Sequence, residues 1–338
     1  MEQLQYIEFD HFELCNSRAI NHRLTYQVFG KSLGEAPIIL INHALTGNSN
    51  IIGKKGWWND IVGDGKIIDT QVYSVLVFNC PGNGFGGLQE DFLKYYNEFT
   101  ARDIARLFSE GLSRLNIYKL HAIIGASVGG GITWELAALK PDLADCIVPI
   151  AADWKSTDWV IGNCFIQDRI LNNSSKPLED ARMHAMTFYR TPESFTAKFN
   201  RTKANKDHFN IESWLNHHGK KLTERFQVTA YKMMNQILKT IDVTQSGEGF
   251  VEVAKQITGH IHIITINTDL LFKTEEHWDT FIQLKSVKEN VTIGEIKSIH
   301  GHDAFLIEHK QLTKLLRPIF NKKTTSNDNY KLSDIRHW

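Results

Sequence analysis

A G-x-S-x-G motif between an apolar run and a helix-forming segment constrains this chain more than any other feature. Residues 123–129 read I-I-G-A-S-V-G, and residues 132–138 read I-T-W-E-L-A-A. The apolar, β-branched run is typical of a buried strand, and the later segment favours a helix. A sharp turn from strand to helix at this point strains the backbone of the central residue of the motif, and the turn has room only for small residues on either side. The pattern predicts that Ser127 projects from a sheet as a nucleophile, with Gly125 and Gly129 leaving room for the turn.

Charge and cysteine content exclude several classes of partner. The 338 residues carry 38 basic and 38 acidic side chains, so we expect neither nucleic acid nor an anionic membrane as a partner. Four scattered cysteines, Cys15, Cys80, Cys146 and Cys164, favour buried thiols in a reducing compartment over a disulfide framework. The start of the chain lacks the pattern of a signal peptide, and no apolar stretch is long enough to span a bilayer. We therefore expect a soluble cytoplasmic protein.

The apolar segments predict an α/β fold with a mostly parallel sheet. Residues 6–14 and 23–29 alternate in polarity enough to form antiparallel strands. Five short continuous runs then follow, as in strands buried on both faces, and helical segments at residues 100–115 and 133–139 separate several of them. The runs are residues 37–42, 73–78, 121–125, 146–151 and 261–266.

The middle of the chain has a different character. From about residue 154 to residue 249 the strand signals vanish and amphipathic helical patterns replace them, at residues 179–189, 192–199 and 224–241. We expect a core, an inserted helical lid and a polar tail. The core comprises residues 1–153 and 250–320, the lid residues 154–249, and the tail residues 321–338.

A carboxylate follows the last apolar run. Residues 261–266 lead directly to Asp269, which places this side chain at the carboxyl end of a predicted strand. Folds that hold a serine in such a turn carry the acid after the nucleophile in the chain and the histidine last. We therefore predict that Asp269 is the acid of a catalytic triad with Ser127.

Two histidines compete for the role of the base. The strand-like residues 291–299 are followed by H-G-H-D at residues 300–303. We prefer His302 to His300 because it precedes a predicted helix at residues 304–308. The order serine, acid, histidine then predicts an α/β-hydrolase fold, in which His302 accepts the Ser127 proton and Asp269 orients the imidazole.

Two backbone N–H groups are expected to stabilise the oxyanion. One belongs to Val128, directly after the nucleophile, and the other to Leu45, in the N-H-A-L-T-G segment at residues 42–47 that follows an early strand. We expect no metal site, because the clustered histidines at residues 217–218, 260–262 and 300–303 lack the spacing of known sites. The glycine-rich residues 80–87 lack the terminal Gly-Lys-Ser/Thr of a phosphate-binding loop. They are more typical of a flexible loop at an active site.

These motifs together resemble the homoserine O-acetyltransferase family. The resemblance covers nearly the whole chain, including the segments that carry the predicted triad. The matching segments are the oxyanion segment 42–47, a tryptophan-containing loop at 56–70, the acid motif 267–272, the histidine motif 301–306, and lid residues 181–183, 189–193, 212–215 and 225–226.

The resemblance implies a specific reaction. An acyl group, with acetyl-CoA as the expected donor and no bound cofactor, would pass through acyl-Ser127 to the γ-hydroxyl of L-homoserine in methionine biosynthesis. Arg182 would bind the homoserine carboxylate with help from Tyr189, and Asp303 would bind the ammonium group. Arg182 and Tyr189 are two helical turns apart, so both can face one cleft. The resemblance also implies a homodimer formed through the lid.

Two departures leave alternatives open. Residues 80–87 differ from the family's usual loop, and Val128 stands where methionine is usual. Because these positions lie near the acyl donor, a serine or homoserine O-succinyltransferase is a related alternative. An esterase using the same triad is another, although neutral esters do not require Arg182 and Asp303. A non-catalytic, ligand-sensing relative would not require the complete triad.

Overall fold

The chain opens with an antiparallel hairpin. Its strands are β1 (Gln5–Glu13) and β2 (Ala19–Gly30). Side chains such as Leu24 are buried on one face, and the other face meets solvent, which is the alternation expected of such a pair. The two predicted N-terminal strands are confirmed. The computed structural model describes residues 3–86 and 95–320.

Most of the strands of the described residues form one mixed sheet. The further strands are β3 (Ile38–Asn42), β4 (Val62–Gly63), β5 (Ile68–Asp69), β6 (Ser74–Phe78), β7 (Leu120–Ala126), β8 (Ala144–Ile150), β9 (His260–Ile266) and β10 (Val291–Ile296), of which β4 and β5 form a separate ribbon. β2 pairs antiparallel with β6, and every later pair in the sheet order is parallel. The order β1-β2-β6-β3-β7-β8-β9-β10 confirms an α/β-hydrolase arrangement, and the five continuous apolar runs all lie in parallel strands.

Helices cover both faces of the sheet. In β3, Leu40 packs into a cluster with side chains of helices α1 (Ala101–Arg114) and α2 (Val128–Leu139). Its neighbours Ile39 and Ile41 pack into a cluster with helix α10 (His309–Phe320). Successive strand side chains point to opposite faces, so each face buries one core. The helices of the described residues are α1 (Ala101–Arg114), α2 (Val128–Leu139), α3 (Asp158–Asn173), α4 (Pro177–Tyr189), α5 (Pro192–Phe199), α6 (Asn210–Thr223), α7 (Val228–Lys239), α8 (Phe250–Ala254), α9 (Thr274–Lys285) and α10 (His309–Phe320), with 3₁₀ helices at Tyr96–Glu98 and Gly301–Leu306.

The inserted segment between β8 and β9 is helical. Residues 154–249, all of which the structure describes, carry α3 to α7. The predicted helical segments correspond to α4, α5 and α7, whereas α3 and α6 lay outside them. In α3 the large side chains of Trp159 and Phe165 are exposed, so its apolar residues do not mark one buried stripe. The division of the chain into core and lid at residues 154 and 249 stays a prediction.

The two ends of the inserted segment pair with each other and are held to the core. Val243 N donates to Trp154 O at 3.1 Å. Glu135, on α2, receives a hydrogen bond from Asp242 N at 2.9 Å and forms an ion pair with Arg102 at 2.7 Å. Burial raises the pKa of Glu135 to about 7, against the opposing pull of the Arg102 guanidinium. A buried charged pair thus anchors the insertion to α1 and α2.

Three predicted boundaries were wrong. β10 ends at Ile296 rather than residue 299, because Ser298 N donates to the Asn267 side chain at 2.9 Å and the chain leaves the sheet there. The helix predicted at residues 304–308 is instead the 3₁₀ helix at 301–306, opened by Gly301 at φ 64°. The helix predicted from residue 133 begins at Val128, directly after the motif serine.

Some predictions fall on residues that the structure does not describe. The polar tail, residues 321–338, lies outside the described residues, as does the last residue of the glycine-rich segment at 80–87. In the described parts of the chain, no helix is both long enough and apolar enough to cross a bilayer.

Candidate active site

The motif serine occupies a strained turn between β7 and α2. Ser127 has φ 57° and ψ −130°, and its N–H donates to Ile150 O of the neighbouring strand at 2.9 Å. A Cβ at Gly125 would collide with the Gly129 carbonyl, and a Cβ at Gly129 with the Asn42 carbonyl. The strand, turn and helix therefore require glycine on both sides, and the turn holds the Ser127 hydroxyl at the carboxyl edge of the sheet.

The structure brings the three predicted triad residues together. His302 Nε2 lies 2.8 Å from Ser127 Oγ, and His302 Nδ1 lies 2.7 Å from Asp269 Oδ2. All three side chains are buried. His300, the competing histidine, instead contacts Ser194 Oγ at 3.0 Å. The distances are those that the predicted roles of nucleophile, base and orienting acid require.

The second oxygen of the acid is also held. Asp269 Oδ1 accepts hydrogen bonds from Leu271 N at 2.7 Å and from Phe272 N at 3.0 Å. These bonds stabilise the carboxylate and fix its plane. The other oxygen is thereby directed at His302, whose Nδ1 carries the proton in this arrangement and whose Nε2 is free to accept one.

The environment of His302 makes it a stronger base than an ordinary histidine. Burial disfavours its charged form, but the charge and hydrogen bond of Asp269 together with the charge of Asp303 outweigh burial, so the pKa of His302 lies above its ordinary value of 6.5. The ring packs among Tyr189, Phe272 and Phe305, with centroid distances of 5.5, 6.0 and 5.8 Å. These aromatic rings exclude water from the imidazole.

The raised pKa of His302 predicts the acid limb of the pH profile. Protonated His302 cannot accept the Ser127 proton, so we expect kcat/KM to fall as the pH drops through an inflection above 6.5. The measurement is kcat/KM against pH with p-nitrophenyl acetate, whose charge does not change with pH. Asp303→Asn removes a second carboxylate that raises this pKa, so its inflection should lie at lower pH. An inflection at or below 6.5 in the unmodified protein would contradict the prediction.

The predicted oxyanion segment is a buried turn. Gly47 N donates to Ala44 O at 2.8 Å, so Leu45 is a central residue of the turn. The buried ring of His43 supports it, because His43 Nε2 accepts from Cys80 N at 3.0 Å and Asn83 Nδ2 lies 3.2 Å from it. Burial lowers the pKa of His43 to about 4, so the ring is neutral. The sequence pattern by itself predicted no role for His43, although this residue lies within the oxyanion segment 42–47.

The predicted substrate residues lie beside the triad on α4 and the 3₁₀ helix. The Arg182 guanidinium is 5.6 Å from the ring centroid of Tyr189, which itself packs on His302. Asp303 Oδ2 forms an ion pair with Arg190 Nε at 3.1 Å. Sequence reasoning assigned no role to Arg190, because the 113 residues that separate it from Asp303 leave no local signal. Burial raises the pKa of Tyr189 well above its ordinary range, so its hydroxyl is neutral.

The remaining clustered histidines lie elsewhere. His260 and His262 stack at 4.0 Å on β9, and burial lowers the pKa of His262 to about 3. His217 and His218 lie on α6, where His218 packs against Trp214. Among the described residues, no group of three or more potential ligands is arranged to hold a metal ion.

Comparison with known proteins identifies the family. The model for the α/β-hydrolase fold matches residues 37–237. A homoserine O-acetyltransferase of Chloroherpeton thalassium is 32% identical over 319 residues, which cover 87% of this chain and 82% of that protein. The chain belongs to the homoserine O-acetyltransferase family. The matched α/β-hydrolase region contains the nucleophile turn and most of the inserted helices.

Solved structures match almost the whole length of this member of the homoserine O-acetyltransferase family. A homoserine O-acetyltransferase from Bacillus anthracis has a TM-score of 0.84 and 18% identity, over 96% of this chain and 99% of that one. An acetyl esterase, MekB, has a TM-score of 0.81 and 16% identity, over 94% and 96%. At such identities the likeness shows the fold alone. The fold therefore does not separate transfer from hydrolysis, and the side chains at the site must do so.

Proposed function

We propose that this chain is a homoserine O-acetyltransferase that moves an acetyl group from acetyl-CoA to L-homoserine. One observation carries the proposal: the triad lies beside two opposite charges on different elements, Arg182 and Asp303. A zwitterionic amino acid presents one carboxylate and one ammonium group, and these two side chains complement them. The product would be O-acetyl-L-homoserine, an intermediate for methionine biosynthesis.

The first half-reaction acylates the serine. Ser127 Oγ attacks the thioester carbonyl while His302 Nε2 takes the hydroxyl proton. The C–S bond then breaks, and the sulfur leaves as the free thiol of CoA with the proton that His302 held. Backbone N–H groups of Leu45 and Val128 would stabilise the oxyanion, and each donor would lower the barrier by roughly 3–4 kcal/mol.

The second half-reaction transfers the acyl group to the amino acid. The γ-hydroxyl of homoserine attacks acyl-Ser127 while His302 takes its proton, and the Ser127 oxygen leaves and regains that proton. Arg182 would hold the carboxylate of homoserine and Asp303 its ammonium group. Because Arg190 engages Oδ2 of Asp303, it fixes this carboxylate and leaves its other oxygen for the substrate. Positioning the acceptor favours its hydroxyl over water.

The direct test supplies the substrates in pairs. Purified protein receives L-homoserine or L-serine with acetyl-CoA or succinyl-CoA, while thiol release and product mass are recorded. We expect thiol release that depends on homoserine, an O-acetyl product, and loss of both in the Ser127→Ala variant. An O-succinyl product would favour the succinyltransferase. Equal thiol release without an acceptor would favour the esterase.

Arg182→Met tests the acceptor site. A charge-assisted pair is worth roughly 1.5–3 kcal/mol, so we expect KM for homoserine to rise by about 10- to 100-fold. Acylation of Ser127 by acetyl-CoA should be nearly unchanged, because the acceptor is absent from that step. The matched control is Arg317→Met, which removes an exposed arginine on α10 and should leave both steps unchanged. An acylation rate that falls with the affinity for homoserine would show that Arg182 acts on the donor instead.

We also propose that the inserted helices act as a lid and as a dimer interface. Support comes from α3, where Trp159, Phe165 and Ile166 are 52%, 58% and 46% exposed, because large apolar side chains grouped on one helix are typical of protein interfaces. Light scattering on the purified chain distinguishes a dimer from a monomer. The four cysteines all lie among the described residues and form no disulfide there, which supports a location in the reducing cytoplasm.

A further inference from the structure

The turn that carries Leu45 is held from the sheet side and from the inserted helices. We call residues 43–47 the oxyanion loop. On the sheet side, His43 Nε2 accepts from Cys80 N at 3.0 Å and is approached by Asn83 Nδ2 at 3.2 Å. Within the loop, Gly47 N donates to Ala44 O. This hydrogen bond closes the turn without using the Leu45 N–H.

Arg225 hydrogen-bonds to this loop from the inserted segment. Arg225 lies between α6 and α7, and its Nη1 donates to Thr46 O at 2.7 Å. Its Nη2 lies 3.4 Å from Thr46 Oγ1. Thr46 O belongs to the same peptide unit as Gly47 N. That peptide plane is therefore held at both ends, by Arg225 at its oxygen and by Ala44 O at its nitrogen.

The surroundings of Arg225 suggest a second use for its charge. Arg225 lines a cleft of about 290 Å³ together with Asn83 and Phe85. Although Arg225 keeps an exposed surface, partial loss of solvent around its guanidinium, followed by the nearby Arg182, lowers its pKa. A cation here could bind an anionic part of the acyl donor. The Thr46 contact favours a structural use, because both terminal nitrogens of Arg225 already face Thr46, one its carbonyl and the other its hydroxyl.

We propose that Arg225 is a positioning residue for the oxyanion hole. By fixing the peptide between Thr46 and Gly47, it sets the orientation of the preceding Leu45 N–H. The inserted helices thus complete the oxyanion site as well as binding the acceptor. The inference rests on the proposed function in one respect, the use of Leu45 N–H to stabilise the oxyanion. Arg225 itself need not touch the substrate.

The experiment uses Arg225→Met and a donor without negative charge. Rapid-mixing release of p-nitrophenolate from p-nitrophenyl acetate reports acylation of Ser127. Loss of a whole oxyanion donor slows a reaction by about 10²- to 10³-fold, so a displaced donor should slow acylation by about 10- to 100-fold. We expect the same factor with acetyl-CoA, with less than a threefold change in half-saturating concentration. Arg225→Lys, which keeps one donor toward Thr46 O, should recover part of the rate.

Each other outcome overturns the proposal. Unchanged acylation by p-nitrophenyl acetate, with weaker binding of acetyl-CoA, would make Arg225 an anion-binding residue. Unchanged kinetics with both donors would leave the Thr46 contact without effect on catalysis. The matched control is Lys220→Met, which removes an exposed charge near the end of α6 and should change nothing. Thermal unfolding of each variant excludes a general loss of folded protein as the cause.

Failure of the proposed function would look different. A protein that is acylated at Ser127 by p-nitrophenyl acetate, but does not acetylate homoserine, would contradict the transferase and still allow the Arg225 comparison. Ser127→Ala, which removes the acylated oxygen, is the background for both measurements.

Discussion

Asp269→Asn is expected to lower kcat for acyl transfer by roughly 10⁴-fold, as removal of the carboxylate of a serine–histidine–aspartate triad typically does. The amide oxygen can still accept from Leu271 N and Phe272 N, the partners of Asp269 Oδ1. Its NH₂ group then faces His302 Nδ1. Because that nitrogen must accept a hydrogen bond, the proton moves to Nε2, and His302 can no longer accept the Ser127 proton.

The same substitution should leave the fold intact, since the two side chains have nearly the same shape. Steady-state kinetics and the free energy of unfolding are measured on the same preparation. The matched control is Asp60→Asn, because Asp60 also contacts a histidine, His309 Nδ1 at 3.0 Å, but is exposed. The control should retain full activity. A loss smaller than tenfold in Asp269→Asn would show that this carboxylate does not orient the base.

Glu135→Ala is expected to lower the free energy of unfolding by about 3–5 kcal/mol, the usual cost of breaking a buried ion pair. The substitution leaves the Arg102 guanidinium, which is 16% exposed, without its carboxylate, and leaves Asp242 N without its acceptor. Arg102 Nη2 also donates to Val243 O at 3.1 Å, where the inserted segment leads back to the core. Loss of Glu135 releases the Arg102 side chain, so the substitution weakens this contact as well. Urea unfolding at pH 8 measures the effect above the pKa of about 7 for Glu135.

A surface pair provides the comparison. Glu8 and Arg23 also form an ion pair, at 2.7 Å, but both side chains are about half exposed. Solvent screens such a pair, so Glu8→Ala should destabilise the fold far less than Glu135→Ala. Equal losses in the two variants would show that burial does not determine the strength of the Glu135 contacts. Unchanged stability in Glu135→Ala would contradict the anchoring role.

The sequence predicted best those features that depend on residues close together in the chain. The constraints on the nucleophile turn act within a few residues, so an apolar strand, small glycines and a helix-forming segment were sufficient to place Ser127. The strands of the parallel sheet were also predictable, because burial on both faces requires continuous apolar runs. The predictions that failed were ends of elements, such as β10, where one side-chain contact from Asn267 ends the ladder.

Contacts between distant parts of the chain were decided by the tertiary structure alone. His300 and His302 are two residues apart and chemically identical, so the pattern favoured His302 only weakly. The fold places His302 against Ser127, 175 residues away, and turns His300 toward Ser194.

The sequence by itself determined the sheet, the strained serine turn and the order of the triad residues, because these follow from polarity patterns and short-range backbone geometry. The tertiary structure alone decided that Arg190 holds Asp303 and that Arg225 holds Thr46, across 113 and 179 residues. No local pattern marks such pairs, because their partners meet only when the inserted helices pack on the sheet edge.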